Sequence, residues 1–171
     1  MIPDPQNVFE ELQNDVAAQL MATAPFSTLR GPSGGDFQVF TEDEGDVQME
    51  YDLMIGQLGL AIVVHSPAGT IDQPDLPGPL ITKLGFDVWV SEAPMFNRAG
   101  SGTQVRLWKA TSIVLGTLHG FQPQSINSPI YATEIRLERE RTYIEKDQPG
   151  TLIVSRICHF IAPQIAAVIE S

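Results

Sequence analysis

Three histidines, a single cysteine and a pair of loop aspartates are the side chains of this 171-residue sequence whose types invite a catalytic or metal-binding reading. His65 and His119 fall at the ends of a predicted strand and a predicted helix, and His159 falls inside a predicted strand beside Cys158. A metal site needs three or four convergent ligands. Neighbours in a strand point to opposite faces, so Cys158 and His159 are not expected to ligate together. Each histidine reads as structural, with His119 placed to favour the negative end of its helix. A thiol nucleophile needs an electropositive setting to lower its pKa. Arg156, two residues from Cys158 on the same face, is its one source of such a field, and a small core hydrophobe is the simpler role. Asp72 and Asp75 lie in a proline-rich loop, whereas paired acids for hydrolysis must be held at a set separation in a cleft. Gly31-x-x-Gly34-Gly35 lacks the spacing and the Lys-Ser/Thr of a phosphate loop. No G-x-S-x-G stretch is present to form a nucleophile elbow. The expectation is therefore a protein without catalytic residues, cofactor or metal, one that is not an enzyme.

The elements that must position these residues follow from periodicity and end signals. Asn7 and Glu10 resemble a capping box, and Val8, Phe9, Leu12, Val16 and Leu20 recur at helical spacing, which predicts a helix over about 7–22. Phe37–Phe40 reads as a short strand. Asp46–Gln57 fits both a strand alternation and a helical stripe. Its Met, Glu, Gln and Leu content, with Asp46 as cap and Gly59 as stop, favours the helix. Leu60–His65 and Leu80–Ser91 are predicted strands, separated by a loop over Ser66–Pro79 with four prolines. Ser101 and Gln104 read as a second capping box. The helix they open carries two apolar stripes, one through Val105, Trp108, Ser112 and Leu115 and one through Leu107, Ala110, Val114 and Leu118, and stops at His119-Gly120. Alternation at Tyr131–Glu138 predicts a half-exposed strand, Gln148-Pro149-Gly150 a turn, Thr151–Ile161 a buried strand and Pro163–Glu170 a short helix.

This order predicts a single α+β domain over 1–171, a mainly antiparallel four-stranded sheet with helices packed on one face and extra short N- and C-terminal helices. No apolar run is long enough to span a bilayer. The acidic N-terminus lacks the order of a signal peptide, and the lone cysteine excludes an intramolecular disulfide framework, so a chain made and kept in a reducing cytoplasm is expected. The formal net charge is −11, and it is concentrated: six carboxylates, Glu42, Asp43, Glu44, Asp46, Glu50 and Asp52, fall within Thr41–Asp52 without a base. Gripping a phosphate backbone requires clustered Lys and Arg, so tight DNA binding is not expected. The acidic run reads either as a surface that repels DNA or as a solvated face.

Two further segments point to assembly. Glu92–Gly100 joins a strong strand to a strong helix and carries Pro94, Met95 and Phe96 beside Asn97 and Arg98. It reads as a docking tip, or as a flap whose apolar residues fold back over the sheet. Glu134–Asp147, with five acids and four bases, reads as a charge-guarded sheet edge or as one side of a subunit interface.

The run V-W-V-S-E-A-P-M-F-N-R-A-G-S-G-T (Val88–Thr103), followed by a helix closing on L-H-G-F-Q-P (Leu118–Pro123), resembles phage and prophage tail proteins, the tail terminator and neck family of long-tailed phages. Thr41–Pro67, with T-E-D-E-G-D and L-G-L-A-I-V-V-H-S-P, is similar to the same proteins; together these stretches cover a little under half the chain. The resemblance implies a small antiparallel sheet flanked by helices and a virion protein made in the host bacterial cytoplasm. It implies a homo-oligomeric ring, commonly a hexamer, that caps the tail tube and meets the head connector while DNA passes ungripped. In these terms Glu92, Pro94, Asn97, Arg98, Gly102 and Thr103 form the turn that positions the inter-element loop, with Met95 and Phe96 at its tip. A channel that passes DNA must not grip it, so the acidic run is expected to line the channel. A head-to-tail connector in the same structure is the neighbouring alternative; a small cytoplasmic enzyme using Cys158, or a monomeric adaptor, stands outside the family.

Overall fold

The computed structural model describes residues 5–42, 46–65, 81–123, 131–132, 134–147 and 151–165. Helix α1 spans Pro5–Met21, with Leu12, Val16 and Leu20 fully buried at helical spacing. Proline is suited to a first helical turn because its missing N–H has no partner there anyway. Asn7 therefore lies inside the helix, two residues past its first, and not at the cap position expected of it. Helix α2 spans Val47–Leu58, which resolves the ambiguous segment in favour of helix. The Asp46 carboxylate accepts a hydrogen bond from the Met49 N–H at 3.1 Å, and Gly59, at φ 71°, closes the helix with its N–H on the Ile55 and Met54 carbonyls. Gly59 is doubly required: a Cβ there would also run into the backbone of Asn97.

Among the described residues, six strands form one mixed sheet: β1 Phe40–Thr41, β2 Leu60–His65, β3 Ile81–Glu92, β4 Tyr131–Ala132, β5 Arg136–Asp147 and β6 Thr151–Ile165. The order is β1-β2-β3-β6, and β4 and β5 both pair with the far side of β6. β1 runs parallel to β2 while every other pair is antiparallel. The α+β class is as expected, but the sheet is wider than four strands and is mixed. A parallel neighbour cannot be reached by a tight hairpin, and α2 is the crossover that carries the chain from β1 to β2.

That crossover also corrects the expectation of helices on one face. Register places Phe86, Val88, Val90, Cys158 and Phe160 on one side of the sheet, all fully buried, where α4 (Leu107–Leu118) lies over β3 and β6 and against α1. Ser91, Trp89, Ser155 and Ile157 point to the other side. There Val47 and Tyr51 of α2 line one cleft together with Trp89 and Ser155, so α2 covers the second face.

Two further boundaries differ. Strand β6 continues through Pro163 to Ile165, held by β3 on one side and β4 on the other, so a helix does not start at Pro163; residues 166–170 lie outside the described residues. The predicted strand at Tyr131–Glu138 is divided into β4 and the start of a much longer β5. Among the described residues, no helix is long and apolar enough to cross a membrane.

Candidate functional site

Strand β3 ends at Glu92, whose side chain turns inward and is 3% exposed. One carboxylate oxygen accepts from Asn97 Nδ2 at 2.8 Å and from Arg106 Nε at 2.8 Å. The other accepts the Leu107 N–H at 2.8 Å, the first amide of α4. Helix N-termini present amides without partners and a partial positive charge, so Glu92 acts as an N-cap delivered from fifteen residues upstream. Asn97, fully buried, also donates to the Val105 carbonyl at 2.9 Å and accepts from Thr103 Oγ1 at 2.7 Å. Gly102 packs so tightly on the Phe96 and Asn97 carbonyls that no side chain fits.

This node overturns the second capping box. α4 begins at Leu107, Gln104 has a positive φ of 62°, and neither Ser101 nor Gln104 caps the helix. The late start also selects between the two apolar stripes. Ala110, Val114 and Leu118 are buried, while Trp108 is 67% exposed.

The predicted docking residues are divided by the same geometry. Glu92 and Asn97 are buried and cannot meet a partner; they brace the turn instead. The short helix α3 (Pro94–Asn97) holds Met95 65% exposed, with Arg98 also exposed and Pro94 and Phe96 half-buried. The β5–β6 hairpin runs past the end of β3, because Glu92 pairs with Val154 while the hairpin continues to Asp147 and Thr151. Ile144, directly across from Val154, and Leu152 are exposed on this overhang. Four large exposed apolar side chains, Met95, Trp108, Ile144 and Leu152, thus gather at one end of the sheet. Sequence reading singled out Met95, and Ile144 only as part of the segment Glu134–Asp147. The register of the hairpin, which has no local signature, places Ile144 and Leu152 beside Met95.

Of the acidic run, Asp43 and Glu44 lie outside the described residues. Glu42 accepts from Gln13 Nε2 at 2.9 Å, Asp46 caps α2, and Asp52 accepts from Gln48 Nε2 at 2.9 Å; Glu50 is half-buried in the first turn of α2.

Cys158 and His159 do face opposite ways. The thiol is in the core, and burial pushes its pKa up to about 12, with Glu140 and Asp87 adding to the rise and Arg156 opposing it. A thiol so placed carries almost no thiolate near neutral pH. His159, on the α2 face, has Nδ1 2.6 Å from Asp87 Oδ1 and Nε2 3.2 Å from Glu138 Oε2. Neither carboxylate was singled out in the sequence, because Asp87 is 72 residues away and the strand register brings them together. Both ring nitrogens are occupied by carboxylates on opposite sides, which leaves neither free to serve a nucleophile and gives no common point for a metal. Among the described residues, no group of three His, Cys, Asp or Glu side chains could hold one. His65 stands against Trp89, ring centres 5.2 Å apart, and His119 is exposed at the C-cap of α4. Asp72 and Asp75 lie outside the described residues. A cleft of about 630 Å³ runs between Arg30–Pro32 and Ser101–Thr103, beside Phe96, with Arg30 the one charged residue lining it among the described residues.

No protein-family model matches this sequence, and no curated protein matches it.

Proposed function

We propose that this chain is a structural assembly protein of a phage or prophage tail, a terminator-like subunit that associates with copies of itself into a ring at the tube end facing the head connector. The observation that carries this reading is the apolar surface at the Glu92 end of the sheet. Met95 and Trp108 are exposed on either side of a turn braced from beneath by the hydrogen bonds of Glu92 and Asn97. Aromatic and Met side chains set on a fixed support suit the centre of a protein–protein contact. The resemblance of Val88–Thr103 to tail terminator and neck proteins supplies the class of partner: a second subunit, the tail tube protein and the connector. In this reading the acidic segment Glu42–Asp52 faces the passage and discourages DNA from binding as it moves through.

Mass measurement and electron microscopy test it together. Six copies of an 18.7 kDa chain give 6 × 18.7 = 112.2 kDa. The expected result is that mass, or density at one end of tail tubes mixed with the protein, lost in Trp108→Glu without loss of fold. A protein that stays monomeric and leaves tube ends bare would sink the reading.

A further inference from the structure

We infer that strand β5 is a self-complementary edge through which two copies of this chain pair antiparallel about a two-fold axis at Tyr143. Among the described residues β5 has one neighbour, β6, and no strand lies along its outer side. A β-bulge between Leu137 and Arg139 bounds the regular part of β5 at one end and the strand's last residue, Asp147, bounds it at the other. The midpoint of that uninterrupted stretch, Arg139–Asp147, is Tyr143, which is 48% exposed.

In an isologous strand pair, residues equally far from the axis on the two copies stand opposite one another. An axis at Tyr143 therefore sets Arg141 against Glu145, Glu140 against Lys146 and Arg139 against Asp147, each occurring twice by symmetry. Every charged position in the stretch meets the opposite sign, Thr142 meets Ile144, and the two tyrosines meet each other. Residues paired across such an axis lie on the same side of the sheet, so the axis can move only to a neighbouring residue. At Thr142 it leaves Arg139 against Glu145, with Glu138 of the bulge against Lys146, and at Ile144 it leaves Arg141 against Asp147 alone. Opposite charges directly across a strand pair stabilise it, so the axis at Tyr143, which makes the most such pairs, is the favoured one. A charge-guarded edge without a partner needs no such symmetry. The opposite edge of the sheet, the two-residue β1, is too short to accept β5 in a head-to-tail arrangement.

This pairing does not depend on the ring reading, since it uses a different surface; where both contacts form at once, two rings pair and the mass is 12 × 18.7 = 224.4 kDa. The test is a cysteine at the axis. Paired Cα atoms stand about 4.5–5.5 Å apart, within disulfide reach. Tyr143→Cys is expected to give a covalent dimer under mild oxidation, with the native Cys158 silent in the core. Arg139→Cys, whose copies would be about 27 Å apart at 3.4 Å per residue, is expected not to cross-link. Arg141→Glu should weaken association about tenfold or more, and Arg141→Glu combined with Glu145→Arg should restore it. Equal cross-linking at 143 and 139, a monomer at all concentrations, or no rescue by the double reversal would overturn the inference. Trp108→Glu reports on the ring and Tyr143→Cys on the two-fold pair, so failure of one is separable from failure of the other.

Discussion

Glu92 and Glu140 lie on the same face of one sheet, yet their surroundings are opposite. Glu92 sits under the turn after β3 with three donors and almost no solvent. Glu140 stands on the outer strand in solvent with Arg156 at 3.3 Å. A buried carboxylate is tolerable only when its acceptor capacity is filled, and losing it leaves donors stranded. An exposed pair is screened and contributes little to folding. The Glu92 region therefore holds the fold's shape, and the β5 region is free to carry specificity between molecules.

The largest effect is expected at Glu92. Glu92→Ala strands the Asn97 amide and the first amide of α4 and should cost about 2–4 kcal/mol in urea unfolding. A loss below about 0.5 kcal/mol would erase the contrast drawn above. Gly59→Ala tests the same support from the other side. Left-handed backbone and collision with Asn97 together should cost about 2–4 kcal/mol, read as a lower urea midpoint with an unchanged slope.

The core beside Glu140 is probed through pH. Cys158 has its pKa raised from 9.0 to about 12, chiefly by burial. The unfolded chain thus loses this proton first, and stability that is whole below pH 9 falls as pH rises toward 12, by up to about 1.4 kcal/mol per pH unit. Tyr51, also raised by burial from 10.0, adds to the loss above that value. Unfolding at stepped alkaline pH should show this decline, flattened in Cys158→Ala. Native Cys158 should also resist alkylation near neutral pH until denaturant is added. The smallest effect on folding is expected at the edge itself: Glu140→Ala should change stability by under about 1 kcal/mol. A large loss there would mean that β5 braces the monomer as Glu92 does.

Much of the scaffold was legible because its signals are local. Asp46 and Gly59 mark both ends of α2, and the run Phe86, Val88, Val90 announces a buried face. What escaped depends on contacts remote in sequence. The cap of α4 is Glu92, fifteen residues before the helix, so Ser101 and Gln104 offered a local pattern that the packing of Gly102 against Asn97 overrides. The second helical layer escaped because a parallel β1 cannot be foreseen from two residues. The candidate surface was half legible: an exposed tip was expected at Met95, but Glu92 and Asn97 beneath it look in sequence like any polar loop residue.

The irregularity between Leu137 and Arg139 acts as a gear that shifts the strand by one tooth. Before it, odd-numbered Leu137 stands across from Phe160; after it, even-numbered Glu140 stands across from Cys158. The extra residue, Glu138, is anchored on His159. That half-step brings Tyr143 to the side of Trp89, ring centres 6.4 Å apart, and Glu140 to Arg156. Were the bulge ironed flat with Glu138 kept in the ladder, everything from Arg139 onward would change sides and the tyrosine would turn away from the tryptophan; excising Glu138 would instead leave Leu137 and Arg139 as regular neighbours and both rings where they are.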